Sequence, residues 1–143
     1  MPRQEPATAN EDRMSHFHAV AWIDHAQARV FHFTETDAQP HVVHPHGTDP
    51  HLHHKAGSRD GKRSSADQDY LHAVVEALKP AQSWLIIGPG EAKHEFVKHV
   101  EHHDPALRGR IAAVETVDHP SDGQILALAR SRAKALDRMA PQT

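Results

Sequence analysis

The chain contains no cysteine. That excludes a disulfide scaffold, a thiolate zinc site and a thiol nucleophile, and it fits a reducing cytoplasm. Long apolar runs are also missing. The longest span a few residues, far short of the ~20 that cross a bilayer, so no membrane partner is expected. Residues 1–15, MPRQEPATANEDRMS, lack the apolar stretch of a secretory signal and read as a disordered tail. There is no excess of one charge sign: 16 Lys and Arg stand against 19 Asp and Glu, for a net charge of −3. Net charge therefore gives no pointer to nucleic acid. The hydrophobic fraction, 38%, is slightly low for a globular chain but well above the disordered class. With 143 residues, the sequence is sized for one domain, expected over 16–143, with a single sizeable core.

What is abundant is histidine. Sixteen are present, as many as lysine and arginine together. A weakly acidic protein at neutral pH thus becomes a polycation near about pH 6, where imidazoles titrate.

Hydrophobic patterning orders the rest. His16–Asp24 reads as a strand and His25–Gln27 as a turn. Ala28–Phe33 alternates, with Val30 and His32 on one face and Phe31 and Phe33 on the other, which predicts a hairpin. His41–His44 reads as a short third strand. A loop of about 20 residues follows, punctuated by Pro45, Gly47, Pro50, Gly57 and Gly61; loops of that length usually carry function or are disordered. Ser65 and Gln68 have capping-box spacing, and Leu71, Val74, Val75 and Leu78 share one helical face before Pro80. Trp84–Ile87 is a continuous apolar run, the mark of a strand buried on both faces. Gly88-Pro89-Gly90 breaks it. Glu91–His103 is a second helix, with Ala92, Phe96, Val97 and Val100 inward. Ile111–Val117 is a fifth strand. Ser121 and Gln124 form another capping box before a helix from about Asp122 to Met139. The order βββαβαβα predicts an α/β domain: a ribonuclease-H-like mixed five-stranded sheet with helices packed on it. The working crevice of such a sheet lies beyond the carboxyl ends of the parallel strands, which here carry Asp24-His25, Gly88-Pro89-Gly90 and Asp118-His119.

Three segments carry a family resemblance: His51-Leu52-His53-His54-Lys55, Gly88-Pro89-Gly90-Glu91-Ala92-Lys93, and Val114 through Gln124. With the element order and the basic Gly/Ser loop before the first helix, they resemble small bacterial single-domain translational machinery proteins. Beyond these, the chain is similar to the middle domain of class-one peptide-chain release factors and of Pelota. The resemblance covers about residues 16–139. In release factors the corresponding loop holds Gly-Gly-Gln, whose glutamine and backbone help water attack the peptidyl-tRNA ester. Here that loop reads Lys55-Ala56-Gly57-Ser58-Arg59-Asp60-Gly61-Lys62-Arg63, with no Gly-Gly-Gln. The resemblance thus implies the fold and an RNA or ribosome setting, without nascent-chain hydrolysis.

No catalytic residues emerge from the sequence. The acids available for two-metal nuclease chemistry, Asp24, Asp118 and Glu76, are an incomplete set, and Asp24 also reads as a hairpin-turn residue. His94-Glu95-Phe96-Val97-Lys98-His99 is one residue too long for a zinc-protease helix, since positions i and i+5 differ by about 140° around the axis. His99 and His103, at i and i+4, have the spacing to share a metal, although a solvated helix face is the favoured reading. The metal candidates are His51, His53 and His54 of the loop with Asp118 and His119 at the strand end, an N/O donor set suited to zinc or another divalent transition metal. The phosphate candidates are Lys55, Arg59, Lys62 and Arg63 of the loop, with Gly88, Gly90 and Lys93 at the strand-to-helix turn. Two leading readings stay open: a non-catalytic module that binds RNA or the ribosome, and a histidine-based metal-binding protein. A phosphoester-acting enzyme is the remote third, and homo-oligomerisation is left open.

Overall fold

A computed structural model describes residues 17–45 and 59–139, apart from the side chains of 59–66 and 137–139. The expected N-terminal tail and most of the histidine-rich loop, His51, His53, His54 and Lys55 included, lie outside the described residues. The elements run β1 (His18–Ile23), β2 (Ala28–Phe33), β3 (Ala38–Val43), α1 (Arg59–Leu78), β4 (Ser83–Gly88), α2 (Ala92–His103), a 3-10 helix (Pro105–Arg110), β5 (Ile111–Thr116) and α3 (Asp122–Met139). The sheet order is β3-β2-β1-β4-β5. β2 is antiparallel to β1 and β3, while β4 is parallel to β1 and β5. This is the mixed five-stranded sheet expected from the order of elements.

Strand alternation sorts the core into two layers. Ala19, Ala21, Ile23, Val30, Trp84 and Ile86 face α1 and α2, where Leu71, Val74, Val75 and Leu78 meet Phe96 and Val100. Val20, Trp22, Phe31, Phe33, Leu85 and Ile87 face α3, which contributes Ile125, Ala129 and Ala133. β4 is covered on both faces, as its unbroken apolar run requires. His32 joins the first layer and its Nε2 lies 2.7 Å from the Ala77 carbonyl, which fastens β2 to α1. At the head of α3 the capping box closes: Ser121 N donates to Gln124 Oε1 at 2.9 Å and Gln124 N to Ser121 Oγ at 3.2 Å.

Two boundaries differ from the expectation. β3 starts at Ala38 rather than His41. It is an edge strand exposed along most of its length, so no apolar alternation marks it, and its edge position accommodates Pro40. More consequential is α1, which starts at Arg59, so Ser65 and Gln68 lie inside the helix and form no capping box. Arg59, Lys62 and Arg63 are therefore helical residues rather than loop residues. Gly61 does not interrupt them, since glycine costs a helix only about 1 kcal/mol relative to alanine.

Candidate functional site

The carboxyl ends of β1, β4 and β5 are built from short, locally satisfied turns. After β1, Asp24 Oδ1 accepts hydrogen bonds from Ala26 N at 2.8 Å and Gln27 N at 2.9 Å. Asp24 is thus the hairpin-turn residue that one reading of the sequence made it. Its carbonyl accepts a bond from the Tyr70 hydroxyl at 2.8 Å. Burial, with a smaller contribution from the Asp24 charge, pushes the Tyr70 phenol well above its ordinary value, so it remains a donor.

This bond sets the level of α1 against the sheet. α1 leads into the start of β4 and so runs antiparallel to β1 and β4. With Tyr70 bonded to the end of β1, the residues before it form an amino-terminal overhang at the carboxyl end of the sheet, in which Gln68 still reaches His99 of α2 at 2.6 Å. Residues 67–69 are exposed, and among the described side chains α1 buries core residues from Tyr70 onward. Arg59, Lys62 and Arg63 occupy positions i, i+3 and i+4 of this overhang, a spacing that shares one helix face.

The Gly88-Pro89-Gly90 turn has a packing rationale at its first glycine. A Cβ on Gly88 would lie 2.3 Å from the Ile23 carbonyl oxygen, so only glycine lets the ends of β1 and β4 approach. A Cβ on Gly90 would meet nothing within 4 Å. Lys93, in the first turn of the following helix, is only 3% exposed, and its ammonium donates to the Gly90 carbonyl at 2.7 Å. It stiffens the turn. In the same helix, Glu95 Oε1 lies 3.0 Å from His25 Nε2 of the β1–β2 turn, an exposed contact.

Beyond β5, Val117 N donates to the Gly88 carbonyl and Trp22 Nε1 donates to the Asp118 carbonyl at 2.8 Å. His119 leans over Trp22 with ring centres 5.2 Å apart, and Arg29 covers Trp22 at 4.6 Å. Arg29 also donates to Asp122 Oδ1 at 2.7 Å and to the Pro120 carbonyl at 3.2 Å. The predicted pair Asp118 and His119 does come together, Oδ1 to Nδ1 at 3.3 Å, with Asp24 Oδ2 3.9 Å from His119 Nε2. Asp118 and His119 are both well exposed. Glu76 is not with these acids: it lies further along α1, bonded to Lys79 Nζ at 2.8 Å.

Sequence reasoning paired His99 with His103 and missed the other groups that gather around it. His72 of α1, His99 of α2 and Asp104, just past α2, place one donor atom each within 4.8 Å of the others. His99 is 5% exposed, which corrects the solvated-face reading for that residue; His103, one turn on, is exposed. A signal was available, since His99 falls three residues after Phe96 and so shares the apolar face of α2. Burial first, then the neighbouring His103, holds the His99 imidazole below the ordinary histidine value, against an opposing pull from Asp104.

No protein-family model matches the chain, and none of the curated proteins does. Solved structures do. Pelota from Archaeoglobus fulgidus is similar with a TM-score of 0.54 over 92% of this chain and 37% of its own length, at 12% identity. An archaeal protein gives 0.53 over 94% of this chain and 42% of its own, at 14% identity. Dom34 of S. cerevisiae, a translation termination-like factor involved in RNA quality control pathways, gives 0.50 over 96% of this chain and 44% of its own, at 12% identity. The chain spans less than half the length of each. What is shared at these identities is the fold, and it is the fold to which the sequence resemblance pointed.

Proposed function

We propose that the chain is a non-catalytic RNA-binding module of the translation apparatus, docking on ribosomal RNA through the amino-terminal overhang of α1. The observation that carries this reading is the placement of Arg59, Lys62 and Arg63 on a helix that runs past the carboxyl end of the sheet, with Lys55 shortly before it in sequence. Cations at the start of a helix can meet a phosphate surface without desolvating the core, and each phosphate neutralised releases counterions. The fold likeness to Dom34 supports the setting, and a ribosomal partner implies a cytoplasmic location. The backbone turn at Gly88-Pro89-Gly90 lies at the same end of the sheet and adds a second place for phosphate contact.

The absence of Gly-Gly-Gln removes the chemistry that release factors apply to the ester, so binding is the whole of the proposed activity. Peptidyl-tRNA on stalled ribosomes should stay intact in the presence of the protein. The direct test is co-sedimentation with ribosomes, comparing the natural chain with a variant carrying Arg59→Gln, Lys62→Gln and Arg63→Gln. The natural chain should pellet with ribosomes at moderate salt and the variant should remain in the supernatant. Failure of the natural chain to pellet, or equal pelleting of both, overturns the reading.

A further inference from the structure

We propose that His72, His99 and Asp104 form a binding site for a divalent transition ion of zinc's type, placed at the seam between α1 and α2. His72 lies two residues after Tyr70 and His99 bonds Gln68, so the site adjoins the amino-terminal half of α1, with Asp104 following at the end of α2.

Three features distinguish this cluster from a chance gathering of polar groups. The first is convergence: donor atoms from three places in the chain lie within 4.8 Å of one another. Donors around a tetrahedral zinc with bonds of ~2.0–2.1 Å are about 3.3 Å apart, so ligation needs side-chain movements of about 1–1.5 Å. His72, with a side chain 54% exposed, has room to make them.

The second is that polar atoms are buried without partners. His99 Nε2 and Asp104 Oδ2 are both buried and form no hydrogen bond. A carboxylate oxygen and an imidazole nitrogen left dry are each costly, and buried groups of this kind normally find a donor, a water or an ion. An ion between them satisfies both.

The third is orientation from behind. His99 Nδ1 lies 2.6 Å from Gln68 Oε1, an acceptor, so the proton sits on Nδ1 and the lone pair on Nε2, the unpartnered atom. His72 Nε2 lies 3.3 Å from the Glu76 carboxylate, which favours the proton there and leaves Nδ1 as the ligand. Gln68, His72 and Glu76 are spaced by four along α1, so one face of that helix supplies a ligand and both orienting partners. Metal-binding histidines are held in this way, the second ring nitrogen donating to an oxygen. The His103 ring lies 4.6 Å from that of His99.

Two imidazoles and one carboxylate select zinc and its transition-metal neighbours over magnesium or calcium, which take oxygen ligands. With one ligand on α1, one on α2 and one just past α2, the ion acts as a staple that fixes the two helices to each other.

The test uses the full chain without an affinity tag and reads zinc retained after dialysis together with the thermal midpoint. Because the loop histidines are themselves candidate zinc ligands, a background variant carries His51→Ala, His53→Ala and His54→Ala. The natural chain and the background variant should both retain one equivalent and both melt higher with zinc than without. His72→Gln and Asp104→Asn, at positions that are not part of the hydrophobic core, should each lose the retained equivalent and the zinc-dependent shift. Gln68→Ala keeps the ligands but should weaken binding roughly 10–100-fold, as loss of an orienting partner does. The proposal is overturned if the natural chain retains no zinc. It is equally overturned if retention and shift survive both His72→Gln and Asp104→Asn, or if they disappear in the loop variant.

Discussion

Two places in the molecule gather histidine and aspartate and leave them in opposite conditions. At the carboxyl ends of the strands, Asp24, Asp118 and His119 are held by turn amides, by one another and by exposure to water. At the seam of α1 and α2, His99 Nε2 and Asp104 Oδ2 are taken out of water and have no partner. The same residue types therefore serve different purposes. Exposed and satisfied, they shape a surface; buried and unsatisfied, they hold free energy that a ligand can recover. Composition alone, with its sixteen histidines, does not separate the two cases.

The largest effect is expected in the sheet that carries both places. Ile86 is fully buried, and Ile86→Asp places an unpaired charge there at a cost of several kcal/mol, against a total stability of about 5–15 kcal/mol. The cooperative unfolding transition followed by circular dichroism should vanish; a soluble variant that still melts cooperatively contradicts the layered sheet. Next come the two glycines of the carboxyl-end turn. Gly88→Ala forces a Cβ against the Ile23 carbonyl and should lower stability by roughly 1–3 kcal/mol, the usual cost of overpacking. Gly90→Ala enters open space and should stay within about 0.5 kcal/mol in urea denaturation. Equal effects at both positions would remove the packing argument.

The two histidine environments are compared directly by His99→Ala and His119→Ala in metal-free protein. Removing the buried His99 ring opens a void and strips Gln68 of its partner, so a loss of roughly 1–3 kcal/mol is expected. His119 is exposed, and its removal should cost about 0.5 kcal/mol or less. The reverse order would invert the comparison.

A smaller effect concerns acid. Near the end of β5, Glu115 accepts a two-pronged contact from Arg132 of α3. That hydrogen bond first, then the guanidinium charge, holds its carboxyl below the ordinary value of 4.5. Its folded pKa being the lower one, the unfolded chain takes up the proton first as pH falls. The stabilisation is thus present at neutral pH and is lost as pH drops from the ordinary carboxylate range through the folded value. Glu115→Gln should flatten the acid limb of a plot of thermal midpoint against pH and leave the neutral limb unchanged in slope.

Much of the fold was legible because burial leaves a period. Leu71, Val74, Val75 and Leu78 announced α1, and Trp84–Ile87 announced a strand covered on both faces. The misplaced boundaries fall where the sequence carries no apolar period. β3 is an exposed edge, and the first residues of α1 are polar with a glycine among them, so they read as loop. The carboxyl-end residues were legible because topology fixes where strand ends meet. The seam cluster was not, since His72, His99 and Asp104 come from three segments and only packing of α1 on α2 brings them together. His99 alone carried a hint, in its place beside Phe96 on the apolar face.

The central claim, that the α1 overhang contacts RNA phosphates, is tested most directly by the salt dependence of RNA affinity. For the natural chain, log affinity should fall linearly with log salt. The variant carrying Arg59→Gln, Lys62→Gln and Arg63→Gln should show a slope shallower by about 0.7–0.9 for each phosphate it no longer neutralises. An unchanged slope in that variant, or a natural chain whose RNA affinity ignores salt, contradicts the account.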